Sequence, residues 1–404
     1  MTEKLRGAPM FAATISDEPR KMKAAANSSR KSDLPALTSL RFVAAVAVLA
    51  SHLSEVFDVG VAALKDLALW QGVSCFFVLS GFILAYVHPQ LEGAEEKDKF
   101  MVARIARIWP THVAAFIFFV LICPFTLAMP YAVPAAILNL TMTHAWTLYR
   151  PVFTAFNTPS WSLSVEFFFY LFFPFLIDRI QATWKWKLFG AVSLSLLCVA
   201  LTMWSFYPSF PAYGSSIPPL ININPLCRLF EFVVGMVAYL AFDRFHDRLR
   251  ISRWQATILE ALAVAAIAVS LTLPRWWVLD DSQRYFEALR SWFSCGGIAP
   301  IFALLVCLMA AQKGAISQLM TLKPLVHCGK LSYSMYLYHY GILLFVSSQT
   351  SLMNSLPRWA LVCLSVTLIF VAAEINLRLV ETPFRKWILR IVSRRDHPRG
   401  KLIS

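Results

Sequence analysis

The sequence has 404 residues, 58% of them hydrophobic and 15% charged, with a mean hydropathy of +0.60. That composition excludes an ordinary water-soluble globule and belongs to a polytopic membrane protein, whose lipid-facing surface is apolar as well. The formal net charge of +14 invites a nucleic-acid partner, but the basic residues gather between apolar runs, so no nucleic acid is expected.

In chain order, residues 1–34 carry seven Lys/Arg and four Asp/Glu without apolar periodicity and read as a mobile basic cytoplasmic tail. The first apolar run, Leu37 to Val56, begins too late and is too long for a cleavable signal peptide, so a retained helix is expected. Within it stand Arg41 and His52. Eleven residues is about 20° more than three helical turns, which puts both side chains on one face roughly 16 Å apart along the axis. Arg41 alone reads as an interfacial anchor. Paired with His52 on that face, it points to a working site, because ionisable groups inside a bilayer are costly and usually face a substrate or proton path.

Ten further apolar runs follow, at about 69–88, 110–129, 132–148, 161–177, 188–206, 225–242, 255–273, 294–311, 331–349 and 359–380. The run 132–148 contains Pro134, Asn139 and His144 and is expected to form an outer cap instead of spanning. Ten spans remain, with both termini cytoplasmic. That arrangement leaves 29 Lys/Arg on the inner side and six on the outer, the asymmetry that sets orientation. The expected architecture is therefore an all-α membrane bundle over 35–390 in the plasma (bacterial inner) membrane, followed by a basic cytoplasmic tail at 391–404. Eight cysteines without a CxxC spacing argue against a zinc site or disulfide framework and read as small buried hydrophobes. No metal is expected.

Four polar stretches interrupt the apolar pattern. Arg104 and Arg107, in the loop before the third span, can share one helical face and grip phosphates with two guanidinium forks. Thr158-Pro159 is a helix start, which places Ser162 one turn in and Glu166 about two turns in. An intramembrane carboxylate needs a partner or must be neutral, and His52 lies at a depth where the two could meet. Arg228 and Glu231, three apart, read as a structural pair. Tyr336 and His339 share a face within a span and form a polar stripe. Glu374, Asn376, Arg378 and Glu381 close the last span and read as structural.

With these motifs in view, the chain resembles the acyltransferase-3 family of integral membrane acyltransferases. The resemblance rests on Arg41 and His52, Gly72-Val-Ser-Cys-Phe-Phe-Val-Leu-Ser-Gly81-Phe82, Arg104-Ile-Ala-Arg107, Trp161-Ser-Leu-Ser-Val-Glu166, Ser332-Tyr-Ser-Met-Tyr-Leu-Tyr-His339 and Val380-Glu381-Thr-Pro383, in that order. It covers about 36–390. His112 departs mildly from the aromatic that relatives often carry there.

The resemblance implies an O-acyltransferase, most often an O-acetyltransferase. The donor would be acetyl-CoA or another acyl-CoA at the cytoplasmic face. The acceptor would be a hydroxyl of an envelope polysaccharide or lipid-linked saccharide, or alternatively of a small molecule such as a macrolide. In that chemistry His52 is the base, since its ordinary pKa lies nearest neutrality, with an acyl-histidine as the rival route. Glu166 orients it or stabilises imidazolium. Arg41 neutralises donor charge, and Arg104 with Arg107 holds the CoA phosphates. Ser162, Arg228, Glu231, Tyr336 and His339 are the remaining candidates for a substrate or structural polar cluster. Transport of a polar solute or protons along the same Arg–His–Glu path is the competing class. The oligomeric state is left open.

Overall fold

A computed structural model describes residues 33–58, 67–206, 219–246, 248, 250–276 and 284–396. Every regular element among the described residues is helical. This is the response expected of a chain in lipid, where each backbone N–H and C=O must be satisfied within its own segment. The tail expected at 1–34 lies outside the described residues except for 33–34. Of 391–404, residues 391–396 continue the last helix and the remainder lies outside the description.

The principal helices are α1 (Pro35–Phe57), α2 (Gly72–Val87), α3 (Gly93–Ile122), α4 (Ala132–Leu140), α5 (Trp161–Ile177), α6 (Ile180–Leu201) and α7 (Pro225–Phe245). After them come α8 (Arg253–Trp276), α9 (Arg284–Trp292), α10 (Ala299–Ala311), α11 (Lys323–Ser348), α12 (Arg358–Asn376) and α13 (Thr382–Asp396). Among the described residues, nine stretches are long and apolar enough to cross a membrane. α11 is not one of them, although its 26 residues extend about 39 Å, more than the roughly 30 Å hydrocarbon core. Ser332, Ser334, Tyr336, Tyr338 and His339 dilute its apolarity, and all five are buried. α11 is the polar heart of the bundle, packed most extensively on α1 and also against α12 and α3. Counting it, the protein is a multi-pass bundle of ten membrane-length helices among the described residues.

The run 132–148 does not span. α4 has nine residues, about 14 Å, and is followed by a single turn at His144–Trp146. Buried polar contacts hold this cap. His112 Nε2 donates to the Asn139 carbonyl at 2.9 Å, Asn139 Nδ2 donates to Ser160 Oγ at 3.1 Å, and His144 Nε2 lies 3.2 Å from the same hydroxyl. Burial pushes the His144 imidazole down to about 3. Asn157 Nδ2 donates to the Leu337 carbonyl at 2.9 Å and ties the cap to α11.

One stretch is more regular than its sequence suggests. The segment before the third span reads as a loop, yet α3 runs unbroken from Gly93 through Pro110. Proline removes one N–H from the helix interior. Here the neighbouring turn is held from outside, where Tyr333 Oη donates to the Ile108 carbonyl at 2.7 Å. α2 and α7 cross where two glycines face each other's backbone. A Cβ on Gly81 would stand 2.0 Å from the Phe232 carbonyl oxygen, and one on Gly235 2.1 Å from that of Val78. In lipid, where association depends on close packing, small residues at the crossing permit that approach.

Candidate active site

A cavity of about 580 Å³ opens among α1, α2, α3, α5, α11 and α13. Six cationic side chains line it, Arg41, Arg104, Arg107, Lys330, Arg385 and Lys386, against two carboxylates, Glu166 and Glu381. Arg104 and Arg107 lie one turn apart on continuous helix, which aims both guanidinium groups into the same space. Arg104 stacks on the Phe100 and Tyr170 rings at 5.6 and 5.9 Å, while its buried Nε has no hydrogen-bond partner. A buried guanidinium nitrogen without an acceptor is expensive.

Glu166 accepts hydrogen bonds from Tyr170 Oη and, at 3.4 Å, from Ser80 Oγ. Arg41 interacts electrostatically with it and with Arg104 and Arg107. The expected meeting of Glu166 with His52 is not seen, and antiparallel packing explains why. The Ser162 and Tyr336 hydroxyls lie 2.9 Å apart and both reach the Pro159 carbonyl, at 3.0 and 3.2 Å. That contact fixes the register of α5 against α11. Glu166 then lies one turn to one side of Tyr336, and His339 one turn to the other.

His52 does not line the cavity. It packs against α11, with Nδ1 3.0 Å from His339 Nε2 and its ring edge-on to Tyr340 at 5.2 Å. His339 Nδ1 is 2.6 Å from the Tyr336 carbonyl oxygen. Tyr336 is the hinge of this arrangement. It lines the cavity, and the histidine that meets His52 lies one turn further along the same helix.

Arg228 and Glu231 form a buried ion pair, Nε to Oε2 at 2.9 Å, with Arg228 Nη2 donating to Ser74 Oγ at 3.2 Å and its guanidinium 5.0 Å from the centre of the Phe77 ring. Neither lines the cavity. The pair locks α7 to α2. Removing one member leaves the other charged and buried, so Arg228→Met is expected to cost about 3–5 kcal/mol, most of it restored in Arg228→Met/Glu231→Leu. Thermal unfolding of the detergent-solubilised variants checks this.

Glu381 reads from sequence as structural, but it lines the cavity and takes a 3.4 Å hydrogen bond from Ser334 Oγ. Lys330, Arg385, Lys386, Tyr170 and Tyr333 are lining residues that sequence reasoning missed. The signals were the basic pair Arg385-Lys386 just after Glu381-Thr382-Pro383 and the place of Tyr333 within the Ser332–His339 motif. Asn376 is structural as expected. It donates to Thr111 Oγ1 and Ser334 Oγ and accepts from Tyr338 Oη. Five of the eight cysteines are buried, and all eight are free thiols. Among the described residues no group of three or more His, Cys, Asp or Glu could hold a metal ion.

A family profile described as an acyltransferase domain matches residues 34–375. The chain is 30% identical over 335 residues to an acyltransferase, MdmB, of Streptomyces mycarofaciens, covering 77% of this chain and 79% of that one. It is 24% identical to the O-acetyltransferase OatA of Staphylococcus aureus (87% of this chain, 57% of the relative). To a putative peptidoglycan O-acetyltransferase, YrhL, of Bacillus subtilis it is 25% identical (90% and 56%). The chain thus spans little more than half the length of the last two. No solved structure matches it.

Proposed function

The chain belongs to the acyltransferase-3 family and is an acyltransferase, and from that premise we propose that it transfers an acetyl group from acetyl-CoA to a hydroxyl of an envelope saccharide, at the junction of the cationic cavity and the histidine pair. One observation carries this reading: six cations, one with a buried unpartnered nitrogen, line a cavity whose lining residue Tyr336 is one helical turn from His339 of two hydrogen-bonded imidazoles. In the proposed topology both termini are cytoplasmic in the plasma membrane. The cavity then opens inward, where acyl-CoA is made, and His52 lies toward the outer half.

The chemistry follows from the groups in place. Arg104, Arg107, Lys330, Arg385 and Lys386 hold the phosphates by charge-assisted hydrogen bonds. Arg41 and Glu166 lie deeper and orient the pantetheine arm, whose amides can pair with both. The acceptor O–H gives its proton to His52 Nε2 as its oxygen attacks the thioester carbonyl. A C–O bond forms, the C–S bond breaks, and the departing thiolate takes the proton back from imidazolium to leave as the thiol. Phe76, Phe77 and Tyr336 are aromatic lining residues and exclude water that would otherwise hydrolyse the thioester.

The O-acetyltransferase names of the Staphylococcus and Bacillus relatives, one of them a peptidoglycan enzyme, support a saccharide acceptor. Protein reconstituted in nanodiscs, supplied with acetyl-CoA and soluble peptidoglycan fragments, is expected to release free CoA only when the fragments are present. CoA release that ignores the fragments but responds to a macrolide would move the acceptor to the small-molecule class. No acceptor-dependent release with any hydroxyl compound would overturn the donor and site assignment.

A further inference from the structure

We infer that His339 is a positioning residue that fixes the tautomer of His52, so that Nδ1 carries the proton and Nε2 presents its lone pair. The relevance to catalysis rests on the acyl-transfer reading above; the tautomer itself does not.

The order of hydrogens starts at a backbone carbonyl. The Tyr336 oxygen, 2.6 Å from His339 Nδ1, can only accept. His339 Nδ1 therefore carries a hydrogen, and in the neutral ring Nε2 is bare. That bare nitrogen stands 3.0 Å from His52 Nδ1. Two lone pairs at that distance repel, so His52 Nδ1 supplies the hydrogen. In a neutral imidazole one nitrogen donates and the other accepts, which leaves His52 Nε2, on the far side of the ring, free to take a proton. The order of hydrogens is set by one carbonyl and passed through two rings.

The alternative, an imidazolium at His339 donating toward His52, would bury a cation whose hydrogen-bond partners are backbone carbonyls and another imidazole, with no carboxylate among them. His339 is 1% exposed, and such a charge is costly without a carboxylate. The charged and titratable groups around the pair are Glu55 on α1, Arg150 on the cap, and Tyr336 and Tyr340 on α11, with Glu55 exposed to the surroundings of the bundle. When His52 gains the acceptor's proton, its Nδ1–H to His339 contact becomes charge-assisted and strengthens. A neutral imidazole thereby takes the orienting part that a carboxylate plays in hydrolytic triads.

The Val48 carbonyl, one turn before His52 on α1, also lies by its ring and is a competing source of the same tautomer. The test must separate the two carbonyl-anchored routes, and two variants do so. His339→Gln keeps an acceptor oxygen within reach of His52 Nδ1, and His339→Leu keeps volume without one. Full-length protein carrying isotope-labelled histidine in nanodiscs reports by NMR which ring nitrogens of His52 are protonated, with His52→Gln used to assign its signals. Wild type and His339→Gln are expected to show Nδ1–H with bare Nε2, and His339→Leu to lose that preference. In the transfer assay, kcat of His339→Leu is expected to fall by on the order of tenfold or more, the scale of one hydrogen bond to a charged group. KM for acetyl-CoA should stay unchanged, and His339→Gln should recover most of the loss. An unaltered His52 tautomer in His339→Leu would assign it to Val48 and overturn the proposal, whatever the transfer assay shows. Equal loss of kcat in both variants with equal tautomers would overturn it too. The expected NMR pattern in a protein that releases no CoA would instead count against the acyl-transfer reading and leave the positioning role standing.

Discussion

Replacing His52 with alanine is expected to lower acyl transfer by about 10²–10⁴, the range lost with a general base, while the protein stays folded and binds donor normally. Three features set this expectation. His52 sits outside the cationic cavity, so its loss leaves the phosphate contacts in place. It is partly exposed, so truncation removes little core packing. Its Nδ1 is engaged by His339, which leaves Nε2 as the one ring atom available to an acceptor hydroxyl. The check is kcat measured in nanodiscs beside acetyl-CoA binding by calorimetry. Near-wild-type turnover with intact binding would remove His52 from the mechanism and redirect attention to Tyr336 or Glu166, which face the cavity.

Arg104→Ala and Arg107→Ala are expected to raise KM for acetyl-CoA by about ten- to a hundredfold each, with kcat at saturation little changed. A hydrogen bond to a charged group is worth about 1.5–3 kcal/mol, and phosphates are gripped equally in ground and transition states, so the loss is one of uniform binding. Arg104 is expected to show the larger effect, because its buried Nε lacks a partner until a phosphate arrives. Added salt should raise the wild-type KM in the same direction, since contacts at the cavity mouth are partly screened within a Debye length of about 8 Å. Titration of acetyl-CoA against each variant at two ionic strengths is the measurement. A reduced kcat with unchanged KM would place these arginines in the chemical step instead.

Much of this protein follows from its sequence because lipid imposes a simple rule. Apolar runs of sufficient length become helices, and the one run broken by Pro134 and Asn139 falls short of the bilayer, as α4 shows. The density of polar residues in otherwise apolar segments was equally legible. Arg41, Arg104, Arg107, Glu166 and Tyr336 each stand out against their surroundings, and the structure brings all five to one cavity.

What the sequence did not determine is which of these side chains meet. Helical periodicity puts Arg41 and His52 on one face, but roughly 16 Å along an axis is enough to leave Arg41 lining the cavity and His52 outside it. The partner of His52 depends on how α11 packs against α1, and no local pattern specifies that contact. Glu166 illustrates the same limit. Its depth matched that of His52 on paper, yet the antiparallel register fixed by Ser162 and Tyr336 turns it toward Arg41 and Tyr170. Glu381, Arg385 and Lys386 looked like the end of a span followed by an ordinary basic segment. Only the packing of α13 and the turn before it against α3 brings them to the cavity. Composition and periodicity act along one helix at a time, whereas a site in a bundle is made by the register between helices, and that is set by tertiary packing.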